Sequence, residues 1–129
     1  MKLQVEIFLF NINGLLNDAI SDEAFFNFCQ QNQNLKLERD HNKKILLKAL
    51  STFYTGAFNS AIATELNLWN RKLKMGKVFD SSTGFTLPDN AVFSPDAAWV
   101  SNEKMSLLTE KQKNKFAPIC PNFVIELKS

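Results

Sequence analysis

Near the end of the chain, the segment FVIELKS sets Glu126 and Lys128 two positions apart in an apolar run. Read as a strand, it turns Val124, Glu126 and Lys128 to one face and Phe123, Ile125 and Leu127 to the other. Both faces begin apolar, which fits an interior strand. A charge buried there costs several kcal/mol unless it is paired or metal-bound. The pair is therefore either a structural ion pair at a strand end or part of a functional group. Asp96, in VFSPDAAWV, poses the same question. As a strand residue it shares a face with Val92, Ser94, Ala98 and Val100. Alternatively Pro95-Asp96 marks a bulge or turn, because proline is unwelcome inside a strand. If the two segments are neighbours, two carboxylates and a lysine converge. Such a set suits Mg²⁺, which takes hard oxygen ligands. The ion polarises a phosphodiester and activates a water, while a lysine orients that water and offsets charge on the phosphate.

Composition leaves room for this chemistry and removes other kinds. His41 is the single histidine, and Cys29 and Cys120 are far apart with no CxxC partner. A Cys/His zinc site and a His-based nucleophilic triad are not expected. Free thiols suit a reducing compartment, so the expected location is cytoplasmic. The formal net charge of +2 permits nucleic-acid binding without demanding it. The opening MKLQVEIFLFNINGLL is interrupted by Glu6 and Asn11 and lacks a cleavage-site pattern, so neither a signal peptide nor a membrane span is expected. A chain of 129 residues, 45% hydrophobic and with twelve phenylalanines, is enough for one domain with an aromatic core.

The elements that must position the candidate residues follow from local pattern. Residues 1–20 give little signal and read as an N-terminal arm or an added strand. Ser21 caps a helix over 22–31, with Asp22 and Glu23 in its first turn and Phe25, Phe26 and Cys29 on one side. Leu35–Asp40 and Lys44–Leu50 read as strands around a turn at His41-Asn42-Lys43, although KILLKAL also suits a helix. Phe58, Ile62, Glu65, Leu66, Trp69 and Leu73 follow helical spacing, which predicts a helix over 57–74 with Gly76 just past its end. Lys77–Asp80 and Ala91–Val100 read as strands separated by turn chemistry. A short helix is predicted at 110–115, with Thr109 and Gln112 in capping-box spacing. The order predicts an α/β fold, a mixed sheet flanked by helices. Glu65 reads as an edge residue of its stripe, and the lysines of residues 71–77 and 111–115 as solvated faces.

Asp96 after Pro95, followed by Glu126-x-Lys128, resembles the PD-(D/E)XK nuclease motif. More closely, the chain resembles the Uma-two family of bacterial restriction-endonuclease-like proteins. The resemblance runs from about residue 21 and includes SDEAFFNFCQQN, LERD, TGAFN, LNLWN, GKVFDSSTGFTLP, SPDAAWV, LTEKQKNKFAPICPNF and VIELKS. It implies a restriction-endonuclease-like α/β core over residues 21–129. It also implies metal-dependent hydrolysis of DNA phosphodiester bonds, with Asp96 and Glu126 holding Mg²⁺ or Mn²⁺ and Lys128 assisting the attacking water. Glu38, in the LERD strand, is implied as a further active-site carboxylate, with Asn59 a weaker pointer. A homodimer is implied as well. The chain departs from the family pattern at Asn42-Lys43-Lys44, where a turn glycine is usual, and at LKALSTF, where a Met-Ser/Thr-Pro segment is usual. The family pattern also continues past the Glu-x-Lys strand, so the resemblance implies a domain incomplete at its C-terminus. The alternative expectation is an inactive relative that retains only dimerisation or DNA binding.

Overall fold

The computed structural model describes residues 20–128. The arm expected at 1–20 therefore lies outside the described residues, apart from Ile20, and so does Ser129.

Helix α1, Asp22–Gln31, starts where expected: the Ser21 hydroxyl accepts a hydrogen bond from the Ala24 N–H at 3.1 Å. It buries Phe25 and Phe28, while Phe26 meets Phe116 edge-on with ring centroids 5.1 Å apart. Strands β1, Leu37–Arg39, and β2, Ile45–Leu47, form an antiparallel hairpin in which Glu38 stands opposite Leu46 and Arg39 opposite Ile45. Its turn is held by the Asp40 side chain, which accepts from the N–H groups of Asn42 and Lys44, and Lys43 takes the left-handed conformation at φ 63°. KILLKAL is thus strand in its first half, not helix.

Helix α2 spans Phe53–Leu73, four residues longer at its start than the spacing predicts, because Thr52 supplies an N-cap through Thr55. Lys74, at φ 55°, closes the helix in place of the glycine expected just past its end. Gly76 instead opens strand β3, Gly76–Phe79, where a Cβ would lie 2.3 Å from the Val100 carbonyl oxygen and 2.6 Å from the Trp99 ring. That close approach of two backbones requires glycine.

Strands β4, Phe85–Thr86, and β5, Val92–Phe93, pair with each other, and β5 also meets β1 at Arg39↔Val92. Strand β6, Ala97–Ser101, lies between β3 and β7, Phe123–Ile125. Two short helices, α3 at Asn102–Met105 and α4 at Glu110–Lys113, follow β6. The capping box expected at Thr109 and Gln112 is present in both directions.

The α/β class is the one expected, with the strands divided between two antiparallel sheets, β2-β1-β5-β4 and β3-β6-β7. The division falls inside a segment expected to be one strand. AVFSPDAAWV breaks at Ser94-Pro95-Asp96, leaving β5 in one sheet and β6 in the other. Proline has no N–H for a ladder, and Pro95 is under 2% exposed, wedged at the corner between the sheets.

Two apolar groups form the core. One packs Ile20, Phe25 and Val92; the other packs Phe85, Ala98 and Val100. Helix α2 lies against the second sheet through Trp69, whose ring meets Trp99 at 5.4 Å and Phe123 at 5.9 Å, and through Asn70, which accepts from the Trp99 indole N–H at 2.9 Å. Among the described residues, no helix is long and apolar enough to cross a membrane.

Candidate active site

Arg39 fixes the first of the implied carboxylates. Its side chain is fully buried, stacked 5.4 Å over the Phe25 ring. The guanidinium donates to the Asn90 carbonyl at 2.8 and 3.0 Å, to the Ile20 carbonyl at 3.2 Å, and to the Asp22 carboxylate. Burying this charge is tolerable because each arm of the fork has an acceptor. Strand alternation then turns Glu38, the preceding residue, to the opposite side of β1. There Glu38 Oε2 accepts the Ser94 N–H at 2.6 Å.

The second sheet brings the other two carboxylates together. In the β6–β7 ladder Ala97 pairs with Ile125 and Ala98 with Val124. Continuing that register by one step sets Asp96 opposite Glu126, and directly opposed residues share a face. Asp96 lies in the break at Pro95, the alternative to a continuous strand, whereas Glu126 lies just beyond the end of β7, which pairs with β6 alone among the described residues, so the expectation of an interior strand there is corrected. Asp96 Oδ2 accepts the Leu127 N–H at 2.6 Å, which ties the end of β7 to the corner. Asp96 Oδ1 and Glu38 Oε1 carry no hydrogen bond among the described residues.

Electrostatics links the three groups. The Glu126 carboxyl is held above its ordinary range, first by partial withdrawal from water, then by the negative charge of Asp96 and, with less weight, that of Glu38. The Lys48 ammonium and the Asp96 backbone N–H act the other way.

Lys48 is the group that sequence reading missed. Its ammonium donates to the Ser94 carbonyl at 2.6 Å and stands 3.9 Å from Glu38 Oε2. A signal was present: with Glu38 opposite Leu46, residue 48 is its diagonal neighbour on the same face. That register becomes readable only once KILLKAL is taken as a strand.

The structure thus gathers Glu38, Asp96 and Glu126 from three distant segments. Lys128 is exposed and makes no hydrogen bond or ion pair among the described residues. Asn59 is half-buried at the start of α2 and takes no part in the contacts described. Glu65 is exposed, on an open groove with Ile62, Leu66, Trp69, Phe123 and Ile125.

The residues suit a hard divalent cation in donor type, since carboxylate oxygens with one lone oxygen each on Asp96 and Glu38 leave coordination positions for water. Among the described residues, no three His, Cys, Asp or Glu side chains stand close enough together to hold a metal ion as they are placed.

No curated protein matches the chain. Residues 22–129, from the first turn of α1 through the Glu126 segment, match the Uma2 family described as "putative restriction endonuclease", and the chain belongs to that family.

Proposed function

We propose that the chain is a metal-dependent nuclease domain that hydrolyses phosphodiester bonds in DNA, working in the cytoplasm. The observation that carries this reading is the meeting of Glu38, Asp96 and Glu126 beside one half-buried lysine, at the corner where the two sheets join. Asp96 and Glu126 would hold Mg²⁺ or Mn²⁺, with Glu38 as a third carboxylate. When bound, such an ion supplies positive charge to the scissile phosphate and an acidified water.

The remaining work belongs to the chain's own groups. Asp96 is oriented by the Leu127 N–H, which holds one oxygen and leaves the other free. Glu38 is oriented the same way by the Ser94 N–H. Lys128 lies two residues past Glu126 at an exposed position, and its ammonium would assist the attacking water. Pairing through the exposed face of β7 would give the homodimer.

Nicking of supercoiled DNA in Mn²⁺ tests the reading. Asp96→Asn removes the charge while keeping the Leu127 hydrogen bond, and the expected loss is about 100-fold or more in rate. Cleavage at the native rate by Asp96→Asn would remove Asp96 from the chemistry.

A second reading has its own observation, the absence of a three-residue metal group among the described residues. In it the chain keeps the fold and binds DNA without cutting. A folded protein that takes up no Mg²⁺ or Mn²⁺ in calorimetry, yet retards duplex DNA, supports that reading over the first.

A further inference from the structure

Lys48 stands among the carboxylates with a geometry that neither the motif nor the family match assigns. It enters from just beyond β2, where its backbone N–H continues the hairpin by donating to the Lys36 carbonyl at 2.9 Å. Its side chain and that of Glu38 are both mostly withdrawn from solvent, at 23% and 19% exposure. Three groups then close on one another. The ammonium donates to Ser94 O, Ser94 N–H donates to Glu38 Oε2, and Glu38 Oε2 faces the ammonium at 3.9 Å. The backbone of one corner residue thus holds both the cation and the anion.

We propose that Lys48 is a positioning residue that acts as a resident counter-cation: it ties Glu38 to the corner and opposes the entry of a divalent cation at Asp96 and Glu126. The proposal rests on the reading of Asp96 and Glu126 as the ligands of that cation.

The physical reason is simple Coulombic competition. A half-buried ammonium 3.9 Å from Glu38, and near enough to Glu126 to act on its carboxyl, is poorly screened by salt. It lowers the negative potential that would attract a doubly charged ion, and it repels that ion directly. A tethered single charge is also always present, so it offsets the repulsion among the carboxylates when no divalent ion is bound. The consequence is a site of moderate affinity, whose occupancy follows the free divalent-ion concentration instead of saturating at trace levels.

A lysine that merely braces Glu38 predicts the opposite sign. Removing a brace loosens a carboxylate and weakens metal binding, whereas removing a competing charge strengthens it. The sign therefore separates the two roles.

Calorimetric titration with Mn²⁺ of the full chain reads this directly. Lys48→Gln, which keeps the length and loses the charge, should bind Mn²⁺ about tenfold more tightly. Lys48→Arg, which keeps the charge, should bind as the native protein does. Asp96→Asn serves as the control and should lose binding. A folded Lys48→Gln protein with equal or weaker affinity overturns the proposal while leaving the metal reading intact. Should that variant fail to fold, as judged by tryptophan fluorescence, Lys48→Met keeps the apolar stem and reads the same sign. Unchanged binding by Asp96→Asn would remove the metal reading itself. If native protein takes up no Mn²⁺ and Lys48→Gln does, the counter-cation is supported in its strongest form; uptake by neither overturns both.

Discussion

Around Arg39 the aromatic and aliphatic side chains are shut away from water: Phe25 is 0% exposed, Val92 3% and Ile20 5%. Along the first turns of α2, Phe53 stands 87% exposed, Tyr54 73% and Phe58 61%. Both regions contain aromatic residues on secondary structure. They differ in what they hold. The Arg39 region fixes β1, and with it the direction in which Glu38 points. Helix α2 touches the second sheet near its C-terminal half, through Trp69 and Asn70, and buries no residue fully. Stability is distributed unevenly in proteins, and here the firmest packing lies behind the carboxylates.

The comparison breaks most readily at Arg39. Arg39→Met would leave the buried Ile20 carbonyl and the part-buried Asn90 carbonyl without their donor. The expected loss is about 3 kcal/mol, read as a lower midpoint in urea. A loss under about 1 kcal/mol would mean that the guanidinium is not what anchors β1.

Glu126 sharpens the picture from the other side. Its carboxyl is held above the ordinary range by desolvation and by Asp96, so ionising it works against the fold, though only weakly, because Glu126 is exposed and solvent screens the charges around it. That penalty is absent below the unfolded-state pKa and fully present above the folded-state one. Glu126→Gln should therefore raise the melting temperature at pH 7 in chelator-treated buffer, by on the order of 1–2 °C. The gain should vanish as the pH falls below the ordinary glutamate range. A lower melting temperature at pH 7 would mean that the ionised carboxylate is a net stabilising partner, with Lys48 outweighing the acids.

The smallest effect belongs to α2. Phe58→Ser changes an exposed position, and its expected cost stays within about 0.5 kcal/mol of zero. A loss above about 2 kcal/mol in the same urea titration would show that this face is covered in solution.

Local signals in the sequence were faithful. Ser21 and Thr109 cap the helices they were expected to cap, and His41-Asn42-Lys43 is the hairpin turn, because each depends on residues within four positions. The long helix was legible from its spacing, but its extra first turn depended on Thr52, outside the periodic stretch. The site was legible only in part. Asp96 and Glu126 stand out as charges in apolar segments and Glu38 only through resemblance, while their meeting depends on pairings across 31 and 56 residues, which no local pattern encodes. Lys48 stayed hidden because its meaning depends on a hairpin register, and its segment also suited a helix. Pro95 was readable as a break, yet nothing near it said that the chain would change sheets there.

That corner has a consequence for how the molecule tolerates change. Ser94 contributes its N–H and its carbonyl to the acidic group, Pro95 turns the chain from one sheet to the other, and Asp96 supplies a carboxylate. Three successive codons thus carry architecture and chemistry together. An inserted residue would slide β6 against β7 by one step, reverse every face beyond it, and separate Asp96 from Glu126 at the same stroke. A library randomised at these codons should return survivors that keep both folding and the acidic cluster, or neither, with few intermediates.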